Sequence, residues 1–350
     1  MKPLAVSMGD PAGIGLELAV RAWAERDAES PPFFLVGDGD ALARAADRAG
    51  LVRPKITDDA SVIGGDKLSV LHIPLATEET PGAPNSANAP ATIAAIERAV
   101  AAVRTGAASA LVTLPIAKNV LQAAGFGFSG HTEFVAHLTE NDAWPRNFAH
   151  HRRGPVMLLA SPSLKVALAT IHTPLAQVSH LLNIEILVRV GRVLGEALLR
   201  DFGIAAPRIA LCGLNPHAGE AGHIGREEID IINPAAAQLR ADGLDVTDAS
   251  SADALFHEGA RANYDAAIAL YHDQGLIPVK TLHFWDAVNV TLGLPIVRTS
   301  PDHGTGFDIA GKGLARANSF IAALKLAQEM AQRRAWTAGV LAGETPAVQE

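Results

Sequence analysis

The chain has 350 residues, of which 49% are hydrophobic and 19% charged, a composition that predicts a soluble globular protein of more than one core. Its 29 basic and 37 acidic residues give a net charge of −8 without any basic run, which argues against nucleic-acid binding. No apolar stretch approaches the ~18–20 residues that cross a bilayer, and the first residues turn polar too early for a secretory signal. The lone Cys212 excludes an intrachain disulfide and fits a reducing cytoplasm, and its setting indicates a buried structural thiol.

The first part of the chain alternates strand and helix patterns. Strands are predicted over 3–8, 33–36, 68–71 and 110–113, and helices over 17–26, 41–49 and 91–104. Asn88 is the predicted N-cap of the third helix, and Pro90 falls in its first turn. This alternation predicts a doubly wound α/β lobe.

The second part starts near residue 128 and continues with similar signals. Strands are predicted over 156–159, 165–170, 208–212 and 266–271, and helices over 184–200, 225–240 and 319–332. The residues from His272 to Gly275 are interpreted as a loop that ends a buried parallel strand, and the tail after Trp336 as loosely held. We find no repeat or linker, so the lobe boundary predicted from the sequence is soft.

Two glycine-rich segments match nucleotide-binding spacings without the required context. Residues 125–130 have the GxGxxG spacing, but they follow a predicted helix, and no acidic residue lies ~20 positions further on. Residues 306–312 (GFDIAGK) are spaced like a P-loop, but Gly313 stands where a Ser or Thr would hold magnesium. The sequence therefore predicts neither a Rossmann GxGxxG domain nor a triphosphate site.

Three histidines each follow an apolar strand pattern and begin a loop that contains Gly or Pro. They are His172, His217 and His272, separated by 45 and 55 residues, which is too wide for a zinc finger or an HExxH helix. Because the carboxyl ends of parallel strands converge, equivalent positions at strand ends favour a three-histidine divalent-metal site with an open position. Asp253 and Asp273 are candidates to orient the imidazoles or to move protons.

Two cations and an amide follow the third histidine. Lys280, Asn289 and Arg298 each lie near the edge of an apolar segment, and such side chains suit an anionic substrate such as a phosphate ester. A solvated surface loop is the alternative interpretation of each residue taken singly.

Several longer motifs resemble one enzyme family, 4-hydroxythreonine-4-phosphate dehydrogenase of vitamin B6 biosynthesis. The resemblance covers nearly the whole chain. Its motifs are GDPAGIG (9–15), SGHTEF (129–134), VALATIH (166–172), GLNPHAGE (213–220), YHDQGL (271–276), VNVTLGLP (288–295) and RTSPDHGT (298–305). The chain departs from the family pattern at Leu114 and Ala117, where relatives often carry a small residue and an Asn, while Lys118 is retained.

The resemblance implies a role for each matching residue. The metal ligands would be His172, His217 and His272, and the metal zinc, magnesium or cobalt. Substrate contacts would fall on His131, Thr132, Lys280, Asn289 and Arg298. Lys280, Asp253 and Asp273 would be the catalytic candidates, with the general base left open among them. The loop after Arg298 resembles the nucleotide-binding loop of isocitrate and isopropylmalate dehydrogenases, which implies NAD or NADP contacts at Asp302, His303, Gly304, Thr305, Gly311 and Gly313.

The resemblance also implies an architecture and an assembly. Two α/β/α lobes of the isocitrate dehydrogenase type would flank a cleft, with residues 1–127 plus about 296–350 in the first lobe and 128–295 in the second. The protein would be a cytoplasmic homodimer whose sites use both chains. Three alternatives stay open: oxidation of threonate or erythronate 4-phosphate or of a dihydrodiol carboxylate, zinc-dependent phosphoester hydrolysis, and metal binding without catalysis. The choice between NAD and NADP and the identity of the metal are also open.

Overall fold

The computed structural model describes residues 2–59, 65–144 and 154–341. Its strands are β1 Leu4–Ser7, β2 Phe33–Gly37, β3 Lys55–Thr57, β4 Ser69–His72, β5 Leu111–Thr113, β6 Val156–Ala160, β7 Lys165–Leu168, β8 Arg208–Cys212, β9 Asp245–Ser250, β10 Ala266–Ala269, β11 Val288–Leu292 and β12 Arg298–Pro301. Its α-helices are α1 Gly15–Ala24, α2 Gly39–Ala49, α3 Ala89–Arg104, α4 Lys118–Ala123, α5 His131–Leu138, α6 Leu175–Leu181, α7 Ile184–Arg200, α8 Asn233–Ala241, α9 Ala252–Leu255, α10 Glu258–Arg261, α11 His272–His283 and α12 Asn318–Leu341. The predicted α/β fold is confirmed.

The chain divides into two compact units. The first contains Met1–Asp142 and Pro295–Ala331. Its strands are all parallel, in the order β3-β4-β2-β1-β5-β12. β1, β2 and β5 are buried along their whole length, as expected of parallel strands covered on both faces. The unit ends after Asp142, whereas the sequence prediction placed the change of lobe at residue 127.

The second unit contains Ala143–Leu294 and Gln332–Glu350, and its sheet is mixed. The strand order is β11-β6-β7-β10-β8-β9. β6 runs antiparallel to both of its neighbours, while β7, β10, β8 and β9 are mutually parallel. β6 and β7 form a hairpin, so this part of the unit departs from the strand–helix alternation of the first unit. The parallel stretch is the part that positions the candidate site.

The loop predicted from His272 to Gly275 is wrong, because His272 is the first residue of helix α11. Tyr271 is extended (φ −144°), so the chain enters the helix directly from strand β10. Gly275 is required for packing rather than for a turn, since a Cβ there would lie 2.6 Å from Leu168 Cδ2. Lys280 consequently lies in the last turn of α11 and not beside a strand end.

Three smaller predictions of secondary structure also need correction. Asn88 precedes α3 without capping it, because its side-chain oxygen accepts from the backbone N–H of Thr77 at 3.0 Å. The helix predicted over 225–240 begins as a π-helical turn at Glu228–Ile232 and continues as α8. The last helix extends to Leu341, beyond the predicted end at 332, and residues 342–350 lie outside the described part.

A buried ion cluster ties the end of α7 to α12 within the second unit. The Asp201 carboxylate accepts two hydrogen bonds from Arg200, at 2.7 and 2.8 Å, and two from Arg334, both at 2.9 Å. All three residues are buried. Burial raises the pKa of Asp201, but the charges and hydrogen bonds of Arg334 and Arg200 outweigh burial and lower this pKa to about 2.

We expect Asp201→Asn to destabilise the second unit by about 3–5 kcal/mol, because two buried guanidinium groups lose their counter-ion. Asp47→Asn is the matched control, since Asp47 pairs with Arg53 at an exposed position and its loss should leave stability unchanged. The measurement is denaturant unfolding of both variants. Because the folded pKa lies below the ordinary 3.8, the wild-type contribution is present above about pH 4 and is lost toward pH 2. Equal stability of the two variants would refute this account.

Candidate active site

Four predicted residues follow the carboxyl ends of four adjacent parallel strands. In the order of the sheet, His172 follows β7, His272 follows β10, His217 follows β8 and Asp253 follows β9. Parallel strands present their carboxyl ends at one edge, where ligands of α/β proteins bind. The pairing of these strands therefore aligns at one edge residues that are far apart in sequence.

The rings of His172 and His272 lie side by side, with their centroids 5.8 Å apart. Two imidazoles bound to one tetrahedral ion at ~2.0–2.1 Å place their ring centres roughly 5 Å apart, so this pair fits a shared metal. Nδ1 of His272 is 2.7 Å from Oδ1 of Asp273, which leaves Nε2 as the ring nitrogen available to a metal ion. This contact supports the predicted role of Asp273 in orienting the His272 ring.

Three hydrogen bonds, one buried and two partly buried, fasten these strand ends to one another. Thr170 Oγ1 donates to Leu270 O at 2.7 Å, which joins the segment before His172 to the one before His272. Gln274 accepts from the Leu270 N–H at 2.7 Å and donates to Gly213 O at 2.8 Å, which joins the β10 end to the β8 end. The backbone next to the predicted ligands is therefore positioned by Thr170 and Gln274, which are not predicted ligands themselves.

His217 lies in a strained turn, Pro216–Gly222. Four residues other than Gly have left-handed φ there, namely His217 (53°), Ala218 (50°), Glu220 (45°) and Ala221 (53°). Strain of this kind persists only where the surroundings hold it. Here the buried Glu228 carboxylate holds the preceding segment by accepting from the N–H groups of Leu214 and Asn215 at 2.7 and 2.8 Å.

Asp253 lies near His217. Ser251 Oγ donates to Asp253 Oδ1 at 2.6 Å, and this hydrogen bond, with a smaller contribution from His217, lowers the pKa of Asp253. Among residues 2–59, 65–144 and 154–341, no three His, Cys, Asp or Glu side chains lie close enough together to hold a metal ion. The three-histidine ligand set therefore stays a prediction. Within one chain, the rings of His172 and His272 are brought together.

Two predicted substrate residues of this unit lie away from that edge. Lys280 follows His272 by eight residues on one helix, which separates their backbones by about 12 Å. Asn289 of β11 pairs with Leu159 of β6, and Leu159 pairs with Val166 of β7. Asn289 therefore lies level with the interior of β7 and not with its carboxyl end. With two strand spacings of about 4.8 Å between β11 and β7, Asn289 is roughly 10 Å sideways from the strand that precedes His172. Its buried Oδ1 has no hydrogen-bond partner in the described part of the chain.

The first unit has its own polar cluster, at the carboxyl end of β5. Arg298, the first residue of β12, is buried and donates from Nη2 to Thr113 Oγ1 at 2.6 Å. His131 begins α5, and Thr132 follows it. Lys118 lies over the residue before His131, since a Cβ on Gly130 would be 3.4 Å from Nζ of Lys118.

The charges of this cluster suit an anion. Burial, and then the charges of Arg298 and Lys118, lower the pKa of His131 well below its ordinary value, so the imidazole is neutral at pH 7. Its buried Nε2 has no hydrogen-bond partner among the described residues. Burial lowers the pKa of Arg298 to about 10, against the opposing charge of Glu133, so the guanidinium remains charged. A buried cation and an unsatisfied imidazole nitrogen form a site that a phosphate or carboxylate can complete.

Within the first unit, the GDPAGIG segment (9–15) packs against the glycine-rich loop 302–313. The backbone N–H of Ile14 donates to Thr305 O at 2.9 Å, and a Cβ on Gly13 would lie 2.8 Å from that oxygen. Arg21 Nη2 donates to Gly313 O at 3.1 Å. The loop 302–313, which contains the six predicted cofactor residues, is thus held by Ile14 of the GDPAGIG segment and by Arg21.

An open pocket lies beside this loop. Its polar lining includes Arg21 and Arg48, and Gly13, Gly311 and Gly313 line it with backbone. Glu17 also lines the pocket, and both arginines are already paired, Arg21 with Glu17 at 3.0 Å and Arg48 with Glu79 at 3.3 Å. The feature that fits the phosphates of NAD or NADP is therefore glycine backbone, which a ligand can approach closely.

Comparison with known proteins identifies the family. The family profile described as pyridoxal phosphate biosynthetic protein PdxA matches residues 29–327, which is most of the chain. The chain belongs to the PdxA family. A protein of Caulobacter vibrioides named 4-hydroxythreonine-4-phosphate dehydrogenase is 50% identical over 333 residues, 95% of this chain and 98% of the relative. One of Methylorubrum populi with the same name is 51% identical, over 95% and 96% of the two chains.

Solved structures agree with this PdxA assignment. A 4-hydroxythreonine-4-phosphate dehydrogenase from Klebsiella pneumoniae has a TM-score of 0.83 at 38% identity, covering 95% of this chain and 98% of its own. A terephthalate 1,2-cis-dihydrodiol dehydrogenase from Burkholderia xenovorans has a TM-score of 0.61 at 32% identity, covering 94% and 98%. The second likeness shows that the same fold also serves a different substrate.

The structure of this PdxA chain adds residues that the sequence interpretation did not assign. Nothing in the sequence spacing of Lys118, Gln274 and Glu228 indicates metal binding or catalysis. Their roles follow from the tertiary contacts described above. Cys212 is buried, and burial raises its thiol pKa to about 12, which confirms the predicted structural thiol. In the described residues, no helix is long and apolar enough to span a membrane.

Proposed function

We propose that this chain oxidises 4-phosphohydroxy-L-threonine with NAD⁺ or NADP⁺ in pyridoxal 5′-phosphate biosynthesis. The product is 2-amino-3-oxo-4-phosphooxybutanoate, which loses carbon dioxide to give 3-amino-2-oxopropyl phosphate. The observation that carries the proposal is 50% identity over nearly the full length of a relative named for this activity. The reducing cytoplasm is the compartment that we propose, in keeping with one buried thiol.

The polar cluster of the first unit supplies recognition of the substrate's anionic group. Arg298 contributes a buried positive charge already oriented by Thr113, and Lys118 adds a second cation. Neutral His131 donates or accepts one hydrogen bond through Nε2, according to its tautomer. Thr132, Lys280 and Asn289 complete the proposed contacts, and the unsatisfied Oδ1 of Asn289 accepts from a substrate hydroxyl or amine.

The histidines at the strand ends hold the divalent metal in this proposal, as zinc, cobalt or magnesium. When bound, the ion polarises the substrate hydroxyl and stabilises negative charge on the oxygen during oxidation and decarboxylation. Asp273 fixes the orientation of the His272 ring, and Thr170 and Gln274 fix the strand ends. Lys280, Asp253 and Asp273 are the candidates to accept the hydroxyl proton.

The loop Asp302–Gly313 holds the nicotinamide dinucleotide in this proposal. Its contacts with Ile14 and Arg21 place backbone next to a pocket lined by two arginines. His303 Nδ1 lies 3.0 Å from Gly304 O, which constrains the ring at the start of the loop. These residues bind and orient the coenzyme.

We further propose a homodimer in which each site uses residues of both chains. Within one chain, Lys280 and Asn289 lie away from the strand ends that carry the histidines. Helix α11 also exposes the large apolar side chain of Ile277, which is 63% exposed and lies three residues before Lys280. Residues three apart share one helix face. A second copy that covers this face would bring its own side chains to the residues beside it.

A same-family alternative is oxidation of a dihydrodiol carboxylate, which the likeness to the terephthalate dihydrodiol dehydrogenase favours. Assays of NADH or NADPH formation with 4-phosphohydroxy-L-threonine, threonate 4-phosphate, erythronate 4-phosphate and a cis-dihydrodiol carboxylate decide between these substrates. We expect turnover with the first compound. Release of inorganic phosphate without reduction of the coenzyme would replace the proposal with phosphoester hydrolysis.

Metal removal should abolish the oxidation. After treatment with a chelator and gel filtration, we expect no NADH formation, and restoration when zinc, cobalt or magnesium is added back, because only the ion polarises the hydroxyl. Binding of NAD⁺, measured by calorimetry, should persist in the metal-free protein, since the proposed coenzyme loop lies in the other unit from the histidines. Full activity of protein verified to be free of metal would contradict the proposed site.

A further inference from the structure

The second unit contains another constellation, far in sequence from the metal-site histidines. Ser163 lies in the turn between β6 and β7, and its Oγ is 2.7 Å from Nε2 of His283, the last residue of α11. Nδ1 of the same ring is 3.2 and 3.3 Å from the two carboxylate oxygens of Asp286. Serine, imidazole and carboxylate are thus connected in the order of a nucleophile, its base and the group that orients the base.

A fourth side chain fixes the direction of these hydrogen bonds. Arg261 Nη1 lies 2.7 Å from Ser163 Oγ, and a guanidinium can only donate. The serine oxygen therefore accepts from Arg261, and its own proton points to His283 Nε2. Asp286 can only accept when ionised, so the imidazole proton is on Nδ1. This is the tautomer that lets Nε2 remove the serine proton, and the positive charge of Arg261 favours an oxyanion at Oγ.

The constellation is open to small molecules. Ser163 is exposed, and the His283 side chain retains 18% of its accessible surface. Immediately after His283, Phe284 and Trp285 expose 63% and 50% of their surfaces and contact each other edge to face. An exposed aromatic pair that directly follows the histidine in the chain suits aryl esters of short acids.

We propose that Ser163, His283 and Asp286 form a second catalytic site, which hydrolyses small aryl esters. Ser163 Oγ bonds to the ester carbonyl carbon as its proton passes to His283 Nε2. The bond to the phenolic oxygen then breaks, and His283 returns the proton to the leaving phenol. Water attacks the acyl-serine in the same way and releases the carboxylic acid, so no oxidant or further co-reactant is needed. The site is independent of the proposed dehydrogenase activity.

A purely structural interpretation of the same contacts is that they pin the β6–β7 turn to α10 and α11. It predicts that Ser163→Ala lowers stability without any effect on ester cleavage. His137 and Glu140 offer a matched control, because they are another histidine–carboxylate pair three residues apart, and no serine hydrogen bond is found on that ring among the described residues. His137→Gln removes a similar imidazole without touching the constellation.

The test is p-nitrophenyl acetate hydrolysis by the full-length chain in the presence of a chelator, which removes cleavage by any metal-bound hydroxide. We expect Ser163→Ala and His283→Gln to lower the acylation rate about 10²-fold or more, and His137→Gln to leave it unchanged. Mass spectrometry of the quenched protein should find the acetyl group on Ser163. Unaltered melting temperature and NAD⁺ reduction in the variants show that the fold is intact.

Asp286 acts through His283, and substitutions at position 286 test it separately. Asp286→Asn should lower the acylation rate, because the Asn amide can donate to Nδ1 and favour the tautomer with its proton on Nε2, while Asp286→Glu should restore part of the rate. The proposal is overturned if Ser163→Ala cleaves the ester as fast as wild type, if the acetyl group lies on other residues, or if Asp286→Asn acylates as fast as wild type.

Discussion

Mixing single-histidine variants should restore dehydrogenase activity in two of the three possible mixtures. The variants are His172→Ala, His217→Ala and His272→Ala, each nearly inactive alone because the metal keeps only two protein ligands. Suppose that each site takes two of its histidines from one chain and the third from the partner. In a mixed dimer of two variants, both mutated histidines then fall in the same site if different chains supply those two positions. The other site is then fully wild type.

The expected recovery is quantitative. Random pairing of an equal mixture makes about half the dimers mixed, so about a quarter of all sites regain activity. The mixture that does not recover identifies the two histidines that one chain supplies. NAD⁺ reduction is measured before and after joint unfolding and refolding, with each variant refolded alone as the control. Absence of recovery in all three mixtures, despite verified mixed dimers, would reject the shared site.

Arg298→Ala and Lys118→Ala should each lower kcat/KM for the phosphorylated substrate about 10–150-fold. The physical reason is the loss of one charge-assisted contact, which typically costs ~1.5–3 kcal/mol. Arg298→Lys tests whether charge alone suffices, since lysine lacks the planar fork that reaches Thr113. Arg104→Ala is the matched control, because Arg104 is a half-exposed arginine paired with Asp142.

Comparison of substrates separates recognition from stability. If the cluster binds the phosphate, the variants should lose most of their preference for 4-phosphohydroxy-L-threonine over the unphosphorylated amino acid. A loss of fold would lower activity toward both compounds equally. Lys280→Ala provides a second comparison, because it lies in the other unit and should lose further activity if Lys280 also moves the proton. Wild-type kcat/KM in the Arg298 and Lys118 variants would remove the cluster from the substrate site.

The sequence by itself determined the family, the α/β class and most elements of regular structure. Helix Ile184–Arg200 and strand Arg208–Cys212 were predicted to the residue, because their apolar periodicity is set by burial on one side or on both. The sequence also indicated that His172, His217 and His272 follow strands, which is a local property of the chain.

Only the tertiary structure decided which strand ends are neighbours and which polar residues meet. Strand order β7-β10-β8-β9 arises from long-range pairing, which no local pattern encodes. Gly275 was misinterpreted as a turn signal because its actual reason, close packing on Leu168, lies 107 positions away in the chain. Packing likewise places Lys118 beside His131 and Ser163 beside His283, and it keeps Asn289 away from the histidines. In each case contacts between distant segments override the local signal.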